Sequence, residues 1–283
     1  MSDRLITLAA QRIVDADSLV ICAGAGMGVD SGLPDFRGAA GFWKAYPALR
    51  SEGIRFEDIA NPSAFMESPA LAWQFYSHRI SLYRQTKPHA GFNILKRWCE
   101  SKAHGCFVYT SNVDSHFQRA GFAEERINEC HGSLSYLQCV VPCQQAVWPL
   151  EGALDQFATP LCPHCGELAR PNVLMFNDWG CINDRTEKKY EAFESWLTGV
   201  SNPVVIELGA GITIPSVRRY AASLELPIVR INPQDHAITP PHIGLPMTAL
   251  RGLLALEKAI DLLEMGDATS SPEINTDQLQ GQA

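Results

Sequence analysis

The 283-residue chain contains no long run of apolar residues: stretches such as Val204 to Ile206 and Leu253 to Leu256 fall far short of the roughly 20 that span a bilayer. The amino terminus lacks a basic segment leading into an apolar one, so no secretory signal is expected and a cytoplasmic protein is. Dense basic runs are missing as well. Lys plus Arg number 23 against 31 for Asp plus Glu, a formal charge of -8, which disfavours a dedicated nucleic-acid binder. There are no internal repeats and no coiled-coil heptads. Charged residues make up only 19% and hydrophobic ones 46%, enough to bury a sizeable core and to argue against global disorder.

What is present begins with nine cysteines, an odd number in a chain without an export signal. A disulfide framework is therefore the weaker expectation, and free thiols or a metal site the stronger. Cys22, Cys99, Cys106, Cys130 and Cys181 lie scattered among apolar or mixed neighbours and read as small buried hydrophobes. Cys139, Cys143, Cys162 and Cys165 form C-x3-C, eighteen intervening residues, then C-x2-C. Two close thiolate pairs can supply four soft ligands at tetrahedral angles, which suits a closed structural zinc site. Gly166 directly after the second pair fits a tight turn around the metal. A metal-free ribbon, or His164 standing in for one thiolate, is the alternative.

Hydrophobic periodicity predicts an amphipathic helix over the first fifteen residues. Buried strands are predicted at Ser18 to Ala23, Cys106 to Thr110, Val204 to Gly209 and Pro227 to Asn232. Helical patterns lie between or after them at Gly91 to Glu100, Thr186 to Leu197, Pro215 to Leu224 and Thr248 to Leu263. Alternation of this kind predicts an α/β fold, a parallel sheet covered on both faces. Two segments interrupt it. Residues 38–87 are aromatic-rich and helical, and residues 138–170 hold the cysteine pairs; both read as insertions forming a smaller lobe with a cleft beside it. That leaves 1–37, 88–137 and 171–265 for the main lobe, and 266–283 as a polar, disordered tail. Trp43, Trp73, Phe75 and Tyr83 are expected in the small-lobe core rather than on a base-stacking surface.

The first strand runs into GAGMGVDSGLPDFRG, Gly24 to Gly38. Glycines after a strand let a backbone approach a pyrophosphate, with a helix start supplying amide donors. As a dinucleotide fingerprint the segment is incomplete. Val29 occupies the third glycine position, and no acidic residue follows at the end of a second strand, which disfavours hydride transfer. More specific pieces come after it: SGLPDFR, TSNVDSHFQRAG (Thr110 to Gly121), ECHGS (Glu129 to Ser133), RPNVLMF (Arg170 to Phe176), LGAGITIP (Leu208 to Pro215), and Ile231-Asn232. In this order, with the four cysteines between them, they resemble the sirtuin family of NAD-dependent protein deacylases over Ser18 to about Leu263.

The resemblance implies a Rossmann-like parallel-sheet lobe, a smaller lobe of zinc ribbon plus helices, and NAD consumed as a cosubstrate in the cleft between them. Carried over by position, Gly24, Ala25 and Gly26 line the diphosphate, and Asp35, Phe36 and Arg37 belong to a mobile loop over the nicotinamide ribose. Asn112 and Asp114 match the nicotinamide pocket, Asn112 as a catalytic residue orienting the ribose or a water and Asp114 holding the nicotinamide amide; His131 matches the catalytic histidine, and Gly209 and Asn232 positions beside the adenosine. The implied chemistry suits these types. Cleavage of the glycosidic bond builds positive charge on the ribose, the acyl-lysine oxygen attacks to give an alkylimidate, and a base then activates a ribose hydroxyl. An imidazole with an ordinary pKa of about 6.5 is poised for that last task. Phe36 would shield the charged face from water. The bland alternatives are a helix cap for Asp114, a turn for Asn112 and a surface position for His131; His116, His78 and His89 are read as ordinary polar residues.

Several positions depart from the family pattern. Ser111 replaces a glutamine, Gly28 a serine, His116-Phe117 a leucine-histidine pair, and Asn177-Asp178 a glycine-glutamate pair in the strand that pairs with substrate peptide. Ala210-Gly211 replace a hydroxyl-bearing pair. The expected function is NAD-dependent lysine deacylation of an acyl-lysine protein or peptide, yielding nicotinamide and O-acyl-ADP-ribose. The alternatives are ADP-ribosyl transfer or NAD hydrolysis on the same fold, or a non-catalytic NAD sensor. Tyr76 and Arg79 lie three apart on one helix face and resemble the pair of family members that accept negatively charged acyl groups; Arg84 is a rival cation. Neither a nucleic-acid nor a membrane partner is expected.

Overall fold

The computed structural model describes residues 2–34, 38–152 and 159–270. Helix α1 (Ser2–Asp15) leads into β1 (Ser18–Ala23), buried along its whole length, and a one-turn α2 (Gly26–Val29). Five helices follow without an intervening strand: α3 (Gly38–Ala45), α4 (Pro47–Ser51), α5 (Phe56–Ile59), α6 (Pro62–Glu67) and α7 (Pro69–Gln85). Next come α8 (Ala90–Ser101), β2 (Cys106–Thr110), α9 (His116–Arg119) and β3 (Ile127–Glu129). The cysteine segment is framed by β4 (Gly132–Cys139), β5 (Val147–Pro149) and β6 (Ala169–Val173). The chain closes with α10 (Asp184–Leu197), β7 (Pro203–Leu208), α11 (Ser216–Ser223), β8 (Ile228–Ile231), β9 (Ile243–Leu245) and α12 (Ala249–Ser270).

Six strands form one parallel sheet in the order β3-β2-β1-β7-β8-β9. From β1 the chain builds outward through β2 and β3, then returns to β1's other side with β7 and builds outward the opposite way. The reversal between β1 and β7 opens a crevice beyond their carboxyl ends, where open α/β sheets bind ligands. Apolar residues from α1, α8 and α12 cover one face, around Leu19, Ile21, Leu95, Ile206 and Leu253. Phe193 of α10 and Val217 and Ala221 of α11 cover the other, against Val20, Phe107 and Val205.

A second core belongs to the helices α3 to α7 and the three-stranded antiparallel sheet β5-β4-β6. Phe42, Phe65, Trp73, Phe75, Tyr76 and Tyr83 fill it, with Trp43 half-buried at its margin. Trp73 Nε1 donates to Ala169 O at 3.0 Å, tying α7 to β6. The antiparallel pairing joins Gly132 and Ser133 to Val173 and Asn172 and, after a break in register, Leu137 to Cys139 to Pro171 to Ala169, so residues on both sides of 137–138 and 170–171 belong to one sheet.

Three features differ from the sequence expectations. Cys99 and Cys106 are joined as a disulfide instead of standing as separate buried thiols: the turn after α8 brings their Cα atoms to 5.1 Å. Helix α12 continues through Gly266 to Ser270, because extending an existing helix avoids a new nucleation cost. Residues 271–283 of the expected tail lie outside the described residues. Five strands lie outside the predicted set: β3, β5 and β9, three residues each and too short to carry a period, and β4 and β6, which frame the cysteine segment.

Candidate active site at the sheet crevice

Two glycine turns interlock at the crevice. Gly24 N donates to Leu208 O at 2.9 Å, and Gly26 N donates to Gly209 O at 3.1 Å. A Cβ on Gly24 would sit 2.8 Å from Ala210 Cα, and one on Gly209, where φ is +57°, only 2.4 Å from Gly26 Cα. The backbones meet only because side chains are absent. Ala25 is exposed at the tip of the first turn. From β2's end, Asn112 Nδ2 donates to Gly24 O at 3.0 Å. From β8's end, buried Asn232 donates through Nδ2 to Ala210 O at 3.0 Å, and its Oδ1 accepts from the amides of Gln234 and Asp235. Gly24, Gly26, Asn112, Gly209 and Asn232 thus form one constellation. Such a cradle of close backbone and small residues fits a dinucleotide.

Asp114 caps the turn into α9, its Oδ1 accepting from His116 N at 2.9 Å, while Oδ2 faces Gly28. His116 is fully buried against Phe92, and burial holds its pKa below the usual histidine value. His89 caps α8: Nδ1 accepts from Gly91 N at 2.9 Å, leaving Nε2 to donate to Met27 O. His78 Nδ1 lies 3.4 Å from the Tyr46 hydroxyl. Asp35, Phe36 and Arg37 lie outside the described residues.

His131 follows β3 and enters β4, between the two sheets. Its ring is half-buried, and burial lowers its pKa, which favours the neutral imidazole that a base requires. Nε2 lies 3.1 Å from the Ser216 hydroxyl at the start of α11, a contact that no sequence signal marked. The backbone is held on the far side, where Leu174 N donates to His131 O at 2.9 Å.

The four ribbon cysteines converge, with every Sγ within 4.8 Å of the others. Cys139 and Cys165 are 3.7 Å apart and Cys143 and Cys162 3.8 Å. A tetrahedral zinc with Zn–S near 2.3 Å has S···S edges of roughly 3.8 Å, so the donor set fits the ion with no open position. Gly166 has φ of +77°, as the predicted turn requires, and its amide donates to Cys162 O at 2.9 Å.

On α7, Tyr76 is 1% exposed, stacked on Phe65 and edge-on to Phe75, and burial pushes its phenol up to about 12. It is a core residue. Arg79 Nε donates to the Tyr83 hydroxyl at 3.0 Å, and its guanidinium lies over the rings of Tyr83 and Phe56 at 5.2 and 5.8 Å. Arg84 points elsewhere: it donates to the carbonyls of Leu150 and Gly152.

The Sir2 family profile matches residues 24–198. The chain belongs to the Sir2 family. It is 31% identical over 254 residues to a Thermus thermophilus NAD-dependent protein deacylase, covering 88% of this chain and 92% of that one. It is also 31% identical to NAD-dependent protein deacylase 2 of Pyrobaculum aerophilum, across 82% of this chain and 86% of the relative. Among solved structures, a Sir2 homologue in complex with ADP-ribose superposes with a TM-score of 0.71 at 23% identity, covering 94% and 99% of the two chains. A Sir2 homologue–NAD complex gives 0.69 at 24% identity, covering 90% and 94%.

The structure also accounts for departures from the sirtuin pattern. Asn177 adopts φ of +54°, the left-handed conformation a glycine would take, which asparagine tolerates better than most residues. Asp178 turns inward. Its Oδ1 accepts from Arg170 at 2.8 Å and from Gly180 N, and Oδ2 accepts from Met175 N, so the carboxylate closes the turn after β6. Both partners of that ion pair are 0% exposed. Ala210 packs against the core under α11, and the turn is held through its carbonyl. Among the described residues no helix is long and apolar enough to cross a membrane.

Proposed function

We propose that this chain is an NAD-dependent protein-lysine deacylase that moves the acyl group onto ADP-ribose and releases nicotinamide. The observation that carries this reading is the convergence, at the switch point of the sheet, of the interlocked glycine turns with Asn112, Asn232 and a half-buried His131. The deacylase relatives and the neighbours described as NAD and ADP-ribose complexes support the same cosubstrate.

Bound NAD supplies a glycosidic bond whose cleavage activates the ribose toward the acyl oxygen. The chain's own residues do the rest. Gly24 to Gly26 and Gly209 let backbone approach the diphosphate, and Asn232 fixes the neighbouring turn. Asn112, anchored on Gly24 O, and Asp114 would line the nicotinamide end. His131, kept neutral by burial, accepts the proton of a ribose hydroxyl. The four thiolates hold the ribbon and take no part in the chemistry. The two packing units act as lobes, with acyl-lysine entering between them.

Incubation with NAD, with and without an acetyl-lysine peptide, tests this. Nicotinamide release that depends on peptide is the expected result. Release that ignores the peptide would replace deacylation with hydrolysis or ADP-ribosyl transfer, and no release at all would leave an NAD sensor. Within the same reading, Arg79 is the cation that would meet a carboxylate on the acyl chain. It is positioned by Tyr83 and Phe56, with Arg84 committed to the ribbon.

A further inference from the structure

The Ser216 hydroxyl lies 3.1 Å from His131 Nε2. Ser216 opens α11 directly after Pro215, so its backbone follows a residue of restricted φ. The helix is anchored firmly. Val217 and Ala221 are buried beneath it, and Arg218 Nη2 donates at 2.9 Å to both Ala210 O and Asp235 O. Arg218 also stands 3.6 Å from Glu207, which Arg230 grips through two hydrogen bonds of 2.6 and 2.9 Å. Helix α11 is thereby pinned to the turns after β7 and β8, and its first side chain reaches across to the imidazole.

We propose that Ser216 is a positioning residue for His131, fixing the ring's orientation and tautomer before substrate arrives. This rests on the deacylase reading of His131. A neutral imidazole carries one N–H and one bare nitrogen, and the partner of one nitrogen decides which is basic. Without a partner the χ2 torsion is broad and roughly two-fold, so the ring samples both flips and both tautomers. With Nε2–H donating to the Ser216 hydroxyl, Nδ1 is the bare nitrogen and accepts the proton of the ribose hydroxyl. Ser216 forms no bond to substrate in this scheme: the proton passes from ribose hydroxyl to imidazole, and the serine sets the geometry in which it does so. The departure of nicotinamide, which precedes that proton transfer, does not need the serine.

The test compares wild type, Ser216→Ala and Ser216→Thr, with NAD and an acetyl-lysine peptide. Ser216→Ala is expected to lower kcat about tenfold, the order of one lost hydrogen bond, with KM for NAD nearly unchanged. Its first-turnover burst of nicotinamide should persist, and Ser216→Thr, which keeps the hydroxyl, should restore kcat. Nitrogen NMR of the free protein should show one His131 tautomer in wild type and averaged signals in Ser216→Ala. Wild-type kcat in Ser216→Ala, or a raised KM with kcat intact, would overturn the proposal; so would averaged imidazole signals in the wild type. If wild type itself releases no peptide-dependent nicotinamide, the deacylase reading fails, while the NMR comparison still decides whether Ser216 orders the ring.

Discussion

The cofactor end of the large sheet and the cysteine ribbon beside it reach a fixed geometry by opposite means. At the sheet crevice the backbone does the work, and side chains are absent where the Gly24 and Gly209 turns touch. Among the described residues of the ribbon, regular structure between β4 and β6 is limited to three-residue β5 and an isolated Leu161–Leu168 bridge. Four thiol side chains define the shape instead. The crevice is therefore vulnerable to added atoms and the ribbon to removed ligands.

The largest expected effect lies in the ribbon. Freshly purified protein should hold one zinc per chain, and stripping it with a chelator should unfold the helical and ribbon unit, since structural zinc contributes on the order of 10 kcal/mol in small metal domains. Calorimetry with and without chelator, alongside elemental analysis, checks this; a well-folded, metal-free preparation with an unchanged melt would contradict it.

Asp178→Ala comes next, because it leaves the buried Arg170 guanidinium without its carboxylate. A loss of about 3–5 kcal/mol is expected in denaturant unfolding. The exposed Arg55–Asp58 pair is the control, where Asp58→Ala should cost under about 1 kcal/mol.

A matched pair of glycines sharpens the contrast. Gly209→Ala and Gly166→Ala both place a side chain at positive φ, but the first meets Gly26 within 2.4 Å and the second meets nothing within 4 Å. The crevice variant should lose about 2–3 kcal/mol and most NAD affinity, and the ribbon variant only about 1 kcal/mol. Unfolding curves and NAD titration distinguish them; equal costs would mean the turns can part without penalty.

The smallest effect concerns the acyl chain. Arg79→Met should depress removal of succinyl more than of acetyl, by about tenfold in kcat/KM, because one charge-assisted contact is lost. Equal losses on the two peptides would make Arg79 a structural cation held by Tyr83 and Phe56.

Legibility followed the same divide. Ser18 to Ala23 could be read as a strand because it is apolar on both faces, and the glycines after it because a close approach leaves no alternative residue. The four ribbon cysteines were legible through spacing alone. Long-range partnerships were not. Nothing local marks Ser216 as the neighbour of His131, 85 residues away, or Asp178 as the buried partner of Arg170. The Cys99–Cys106 disulfide was hidden because a seven-residue spacing becomes a bond only once α8 and β2 turn back on each other. Asn177 read as a departure from glycine, yet its positive φ keeps the backbone course that glycine would give.

The central claim is that the crevice couples one NAD to one acyl-lysine through His131. The most direct measurement is the stoichiometry of nicotinamide released to peptide deacylated, in wild type and in His131→Ala, with NAD binding followed by titration. The account predicts a one-to-one ratio in wild type, and in His131→Ala a fall of about 10²–10⁴-fold in acyl transfer with NAD still bound. Nicotinamide in large excess over deacylated peptide in wild type, or undiminished turnover in the variant, would contradict it.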